Sequence, residues 1–227
     1  MVNGFLFDWR TPIENLPYVF SGLGVTLLMT VIVFTVSMIL GAGLGYIRFR
    51  KKGISYRAAT VFVEIVRNVP LLCEIYIVYF GLPQIGIKLN NVQTAFVCLI
   101  FFTTSYLTEI FRGGIQSVSE GQWEASECVG LSQFETFVDV IFPQVLRIVF
   151  PAMINQFILT IYATSLFSAI GVMELTGETA RVAGQTFRTF EMYTAALICY
   201  YLISFVTGKV LRVINIRFFP SLQESGE

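Results

Sequence analysis

Few side chains in this sequence could do chemistry, and most of them sit where charge is expensive. Glu74 lies in Leu71-Leu72-Cys73-Glu74-Ile75-Tyr76, inside a long apolar run. An ionisable group there must face a cavity or a partner. Glu74 either lines a path and recognises a cationic or ammonium group, or is a structural carboxyl. In the second case it pairs with Arg67, or is protonated and hydrogen-bonded at a helix interface. Arg67 is two helical turns earlier, on the same face but beyond easy contact. Glu109 and Arg112 are spaced as a helix-surface pair, and Glu64 and Arg67 share that spacing and the same structural reading. Cys73, Cys98, Cys128 and Cys199 make no CxxC pair, and histidine is absent. No metal site, Cys-His nucleophile or catalytic triad is therefore expected.

Apolar elements must hold these groups. Of the 227 residues, 55% are hydrophobic and 13% charged, and mean hydropathy is +0.72. Soluble domains carry roughly 25% charged residues. The formal net charge is zero, so neither a basic nucleic-acid surface nor an acidic tail is expected. Apolar runs long enough to cross a bilayer cover Val19–Ile47, Ala58–Leu82, Val92–Phe111, Ile148–Val172 and Tyr193–Val210. The first ends in Gly41, Gly43 and Gly45, glycines that let another helix approach closely in lipid. The expected fold is all-α: a polytopic membrane protein of about five transmembrane helices, read as a single domain over residues 1–227 with almost no soluble part. Met1 to Pro17 lacks a basic segment followed by a short apolar core and is not read as a cleaved signal peptide.

Charge placement gives an orientation. Arg48, Arg50, Lys51, Lys52, Arg57, Arg112, Arg147, Lys209, Arg212 and Arg217 fall on one side of an alternating five-span topology. Arg10, Lys88, Arg181 and Arg188 fall on the other. The positive-inside rule puts the first group in the cytoplasm, the N-terminus outside and the C-terminus inside. Tyr18, Tyr79, Phe80, Tyr193 and Phe218 suit the interfacial aromatic belts.

The segment from Gly113 to Pro143 is patterned rather than a polar linker. Ser119 with Gln122 spells a capping box that starts a helix, and Gly130 is placed to end it. Ser132 with Glu135 spells a second box, followed by Phe134, Phe137, Val138 and Ile141 on one apolar face. Pro143 is expected to stop or kink that second element. Two short helices at the cytoplasmic membrane surface follow. The first is acidic on its exposed side through Glu120, Glu124 and Glu127.

The run Gly121-Gln122-Trp123-Glu124-Ala125-Ser126-Glu127-Cys128-Val129-Gly130-Leu131, with Ile141-Phe142-Pro143-Gln144 after it, resembles the EAA motif of ATP-binding-cassette importer permeases. Ser126 replaces the second alanine of that pattern, and Phe142 replaces the leucine of its I-x-L-P ending. Arg67-Asn68-Val69-Pro70-Leu71-Leu72 is similar to the R-G-T-P-L-L element of polar amino acid permeases. Tyr106, Glu109 and Arg112-Gly113-Gly114-Ile115 resemble the stretch preceding the EAA loop, and Thr164-Ser165-Leu166 with Ile170-Gly171 resembles a T-S-L-x-x-x-I-G segment. These elements occur in family order, and the likeness to histidine/glutamine-type permeases runs from about Ser21 to Ile216.

The resemblance implies the type I importer fold and a coupling helix, built from Gly121, Gln122, Glu124, Ala125 and Gly130, that docks on a separate ATPase. Glu124 would be the charged contact, Ala125 the small residue permitting close approach, and Gly130 the turn. No G-x-x-x-x-G-K-[ST] loop is present; Gly208-Lys209-Val210 does not complete one. The chain is therefore expected to be no enzyme and to hold no cofactor, with ATP and Mg bound by a partner ATPase dimer. Further implied partners are a second permease copy or a homologous permease, an extracytoplasmic substrate-binding protein, an amino acid and membrane lipid. The implied location is the bacterial cytoplasmic (inner) membrane. Glu74 stands where the family commonly has Gln, and Ala163 where many relatives carry an acid. Either Glu74 and Asn155 hold the substrate beside Thr164 and Ser165, or this subunit of a heterodimer does not hold it. Competing functions are an ion-coupled secondary transporter, with Glu74 or Glu109 as proton site, and a non-transporting membrane scaffold.

Overall fold

The computed structural model describes residues 7–218, and among them all regular structure is helical. After a single turn, α1 (Arg10–Glu14), the chain enters α2 (Leu16–Arg50), 35 residues without a charge before Arg48. At ~1.5 Å per residue α2 is about 50 Å long, well over a ~30 Å hydrocarbon core. Then come α3 (Gly53–Asn68), α4 (Leu71–Tyr76), α5 (Asn91–Gln116) and α6 (Glu120–Cys128). The last part holds α7 (Gln133–Glu135), α8 (Phe142–Thr164), α9 (Leu175–Thr186) and α10 (Thr189–Phe218). Four helical stretches are long and apolar enough to span: Leu16–Arg50, Asn91–Gln116, Gln133–Ile170 and Thr189–Phe218. The shorter apolar stretch Leu71–Ile85 accompanies them, so the chain is a multi-pass membrane protein.

Two expectations need correction. The second span is not one helix. It breaks at Val69, which is extended (φ −106°, ψ 135°), because Pro70 disfavours helical geometry before it and offers no N–H to carry α3 onward. Beyond Pro70 the chain resumes as α4, passes through a π-helical segment, Ile77–Gly81, and tightens into a 3-10 turn, Leu82–Ile85. Pro143, by contrast, neither stops the second loop helix nor separates it from the fourth span. Residues Thr136–Ile141 are π-helical, and the Phe142 amide reaches back to the Phe137 carbonyl. The wider π-helical turn lets Pro143, which has no N–H to donate, enter the first turn of α8 without a break in the helix.

The described residues fall into two compact units. The first holds residues 7–33, 71–99 and 159–206; the second holds 34–70, 100–158 and 207–218. The ends of the domain expected over residues 1–227 lie outside the described residues. The ten basic residues assigned above to one side all belong to the second unit, and Arg10, Lys88, Arg181 and Arg188 to the first.

In the second unit, Leu107, Phe111 and Ile115 of α5 recur every fourth residue and pack with Val145, Val149 and Met153 of α8, which do the same. These matching rows interdigitate as ridges and grooves. The α2 glycines divide by task. A Cβ on Gly41 would come within 2.7 Å of the Leu107 Cβ, and one on Gly45 within 2.8 Å of the Phe111 Cβ; one on Gly43 would meet nothing within 4 Å. Gly41 and Gly45 are thus the small-residue pair that lets α5 close on α2.

In the first unit, Glu174 organises the start of α9. Its side chain is fully buried. Oε1 accepts the Gly177 amide at 2.8 Å, and Oε2 accepts the Tyr200 hydroxyl at 2.9 Å and the Thr26 hydroxyl at 3.3 Å. Burial raises its pKa above the ordinary carboxylate range, and the hydrogen bonds offset only part of that rise. A carboxyl whose folded pKa is raised favours folding when neutral. Its contribution is full at low pH and lost as pH climbs past the ordinary carboxylate range. Glu174→Gln, permanently neutral, should therefore remove part of the pH dependence. In thermal melts of the detergent-solubilised protein at about pH 5 and about pH 8, the wild type should lose more stability than the variant on going to the higher pH.

Candidate functional site

The loop between α5 and α8 is built around α6. Trp123 and Ser126, three residues apart, face inward. Trp123 stacks on Phe49 at the end of α2, with ring centroids 5.6 Å apart, and Ser126 is buried with its hydroxyl donating to the Gln122 carbonyl at 2.7 Å. A serine is tolerated there because that bond satisfies its buried hydroxyl. Gly121, Gln122, Glu124, Ala125, Glu127 and Cys128 are exposed. Ser119 does take the N-cap position, but its side chain caps nothing, so the expected Ser119/Gln122 box does not form. The Gln122 side chain is engaged elsewhere: its Oε1 accepts Gln144 Nε2 at 3.3 Å. The two halves of the motif are thereby tied across the loop.

The far end of α6 meets expectation. Gly130 is left-handed (φ +82°), its amide reaches the Glu127 carbonyl at 3.0 Å, and the Leu131 amide reaches the Ser126 carbonyl at 3.1 Å. This is the paired closure of a Schellman cap. The Ser132/Glu135 box also forms in both directions, at 2.8 and 3.3 Å. Beside α6 lies an open groove of about 510 Å³, lined by Glu120, Glu124 and Glu127 against the single guanidinium of Arg50.

The charge pairs regroup around Glu109. Arg48 of α2 donates to Glu109 Oε1, and Arg112 grips Glu109 through Nη2 at 2.8 Å and Nε at 3.1 Å. The Glu109–Arg112 pair thus stands, but Glu64–Arg67 does not. Arg67 turns instead to Glu109, 3.8 Å away, and lies over the Tyr106 ring at 5.0 Å from its centroid. Glu109 is partly withdrawn from water whereas Glu64 is exposed, so its attraction for Arg67 is screened less. Arg48 gave no sequence signal beyond membership of a basic run.

Residues 36–219 match the family described as binding-protein-dependent transport system inner membrane component. This chain belongs to that family. The probable amino-acid ABC transporter permease protein YckA of Bacillus subtilis is 31% identical over 214 residues, covering 94% of this chain and 95% of that protein. The glutamine transport system permease protein GlnP of Escherichia coli is 32% identical over 208 residues, covering 91% and 95%. A crystal structure of an amino acid ABC transporter with histidines superposes with a TM-score of 0.86 at 27% identity, over 94% of this chain and all of that one. The chain is thus a transport permease subunit rather than an enzyme, and the secondary-transporter and scaffold readings fall away.

The permease divides the expected path residues between its units. Glu74, Thr164 and Ser165 belong to the first, and Asn155 to the second. Within the first unit, α4, which carries Glu74, packs against the 3-10 segment Ser165–Ile170. Glu74 has no link to Arg67, and its Oε1 is buried with no hydrogen-bond partner among the described residues. Thr164 and Ser165 donate to the Ile161 and Tyr162 carbonyls, each at 2.7 Å, so toward any third group these hydroxyls can only accept. The Tyr200–Glu174 anchor left no signal in the sequence: Glu174 caps α9 through the Gly177 amide, but glutamate is not a residue that marks an N-cap in sequence.

Two outcomes are expected from this geometry. Glu109→Gln leaves the arginines, Arg48 only 12% exposed, short of a counter-charge and should cost about 3 kcal/mol in thermal or denaturant unfolding. Glu64→Gln should stay within about 0.5 kcal/mol. Gly130→Val, β-branched at a left-handed position, should weaken the α6 cap by about 1–2 kcal/mol, read as faster proteolysis between α6 and α7.

Proposed function

We propose that this permease is the membrane-spanning subunit of an ATP-driven importer of polar amino acids in the bacterial cytoplasmic (inner) membrane. Its N-terminus lies outside and its C-terminus in the cytoplasm. It builds the translocation path with a second copy or a homologous permease, and an ATPase dimer that binds ATP and Mg docks on its α5–α8 loop. Closure of that dimer drives the coupling helices together and turns the path toward a loaded extracytoplasmic binding protein; hydrolysis returns it. The observation carrying this reading is the superposition, over nearly the whole chain, on an amino acid ABC transporter.

The coupling loop supports it. A helix anchored on one face by Trp123 and Ser126, and closed at Gly130, can transmit a push as a rigid body. Its exposed acids suit a partner cleft with basic groups, and exposed Ala125 allows close approach. The unpaired, buried oxygen of Glu74 favours a substrate carrying a cationic group.

The permease pulled from native membranes in mild detergent should bring an ATPase whose turnover rises with one amino acid and its binding protein. Glu124→Lys should abolish that co-purification while leaving the melting temperature within about 2 °C. Glu74→Gln should lower uptake of a cationic amino acid about tenfold relative to a neutral one. An unchanged ranking of substrates would remove Glu74 from the path, and absence of any ATPase would remove the importer reading itself.

A further inference from the structure

A second groove lies on the second unit and shares Gln133 with the groove beside α6, though none of the α6 acids lines it. Ala42, Gly43 and Tyr46 of α2 form one wall; Phe134, Phe137 and Val138 are among the residues of the other. It measures about 510 Å³ and is almost wholly apolar. Tyr46 and Phe137 pack with ring centroids 4.3 Å apart and planes tilted by 43°, while Phe134 is 75% exposed. The rim is charged. Arg50 donates to the Tyr46 hydroxyl at 3.2 Å and to Gln133 Oε1 at 2.7 Å, and Gln133 itself lines the groove. Lys51 and Lys52 follow at once, both exposed, where α2 ends with Lys51 in the left-handed region (φ +51°).

We infer that this groove is a binding site for one anionic phospholipid, with an acyl chain lying along Gly43, Phe134 and Phe137 and the phosphate on Arg50, Lys51 and Lys52. Depth and charge both support that occupant. Gly43 precedes Arg50 by two turns, or about 10 Å along the helix axis. The headgroup layer on each side of the hydrocarbon core is roughly 5–8 Å thick, so a phosphate held at Arg50 puts acyl carbons at the level of Gly43. Basic clusters at the membrane end of a helix select anionic headgroups. A soluble partner would have to bury Phe134 and Val138 beside Arg50, Lys51 and Lys52, whereas a phospholipid presents an apolar tail and a negative head in that order. Gly43 is the open floor: no atom lies within 4 Å of where its Cβ would stand, so a larger side chain there fills the groove without disturbing α2.

Native mass spectrometry of the intact importer, released from detergent with dioleoyl-phosphatidylglycerol or dioleoyl-phosphatidylcholine, tests this. The wild type should retain phosphatidylglycerol over phosphatidylcholine by about tenfold. Gly43→Leu should lower phosphatidylglycerol retention about tenfold while the melting temperature holds or rises, since leucine is the better helix former. Lys51→Gln with Lys52→Gln should keep phospholipid in the groove but abolish the preference. Equal retention of the two lipids by the wild type, or undiminished phosphatidylglycerol on Gly43→Leu, overturns the site. So does lipid that binds only once the ATPase is stripped away, which hands the groove to the ATPase, or only once permease copies separate, which hands it to the second copy.

Discussion

Hydrocarbon offers no water to a backbone N–H or C=O, and that constraint orders everything else in this chain. It explains why the described residues are helical throughout, and why the exceptions are local and compensated. At Val69–Pro70 the helix ends and restarts. At Thr136–Ile141 it widens into a π-helical segment that delivers Pro143 to a first turn. Two prolines of the same covalent nature thus have opposite effects. The difference lies in whether the preceding residues stay helical: Val69 is extended, whereas Phe142 remains helical with φ −59° and ψ −40°.

The same low dielectric sorts the acidic residues. Glu109 gathers arginines from three helices, and Glu174 collects hydroxyl and amide donors around a fully buried carboxyl. Both anchor structure, one in each unit. Glu74 has an oxygen that nothing among the described residues satisfies. Where each unit places its counter-charges and donors, the acid is architectural; the proposed ligand contact falls on the acid that lacks them.

The helix α6 shows how a short surface element is made rigid without a core of its own. Two side chains three residues apart pin it, a left-handed glycine closes it, and the Gln122–Gln144 bond ties it to the next span. Everything not used for pinning is left exposed, and that exposed set is acidic and small. Anchoring is thereby assigned to one face of a helix of nine residues, and the proposed docking falls on the other.

Composition and periodicity by themselves determined the all-helical membrane class, the number of apolar runs, the start and end of α6 at Ser119 and Gly130, and the Ser132/Glu135 box. These depend on neighbours in the chain and on transfer of side chains to lipid, both of which are local. Tertiary structure decided the rest. Arg67 sits beside Glu109 rather than Glu64, three residues before it, because packing brought that half-buried carboxylate within reach. Gln122 left its capping role for Gln144, and of Gly41, Gly43 and Gly45 the first and last became the contact points with α5, while Gly43 met nothing. Such choices turn on distances between residues far apart in the chain, and a distance of that kind is fixed only when helices pack.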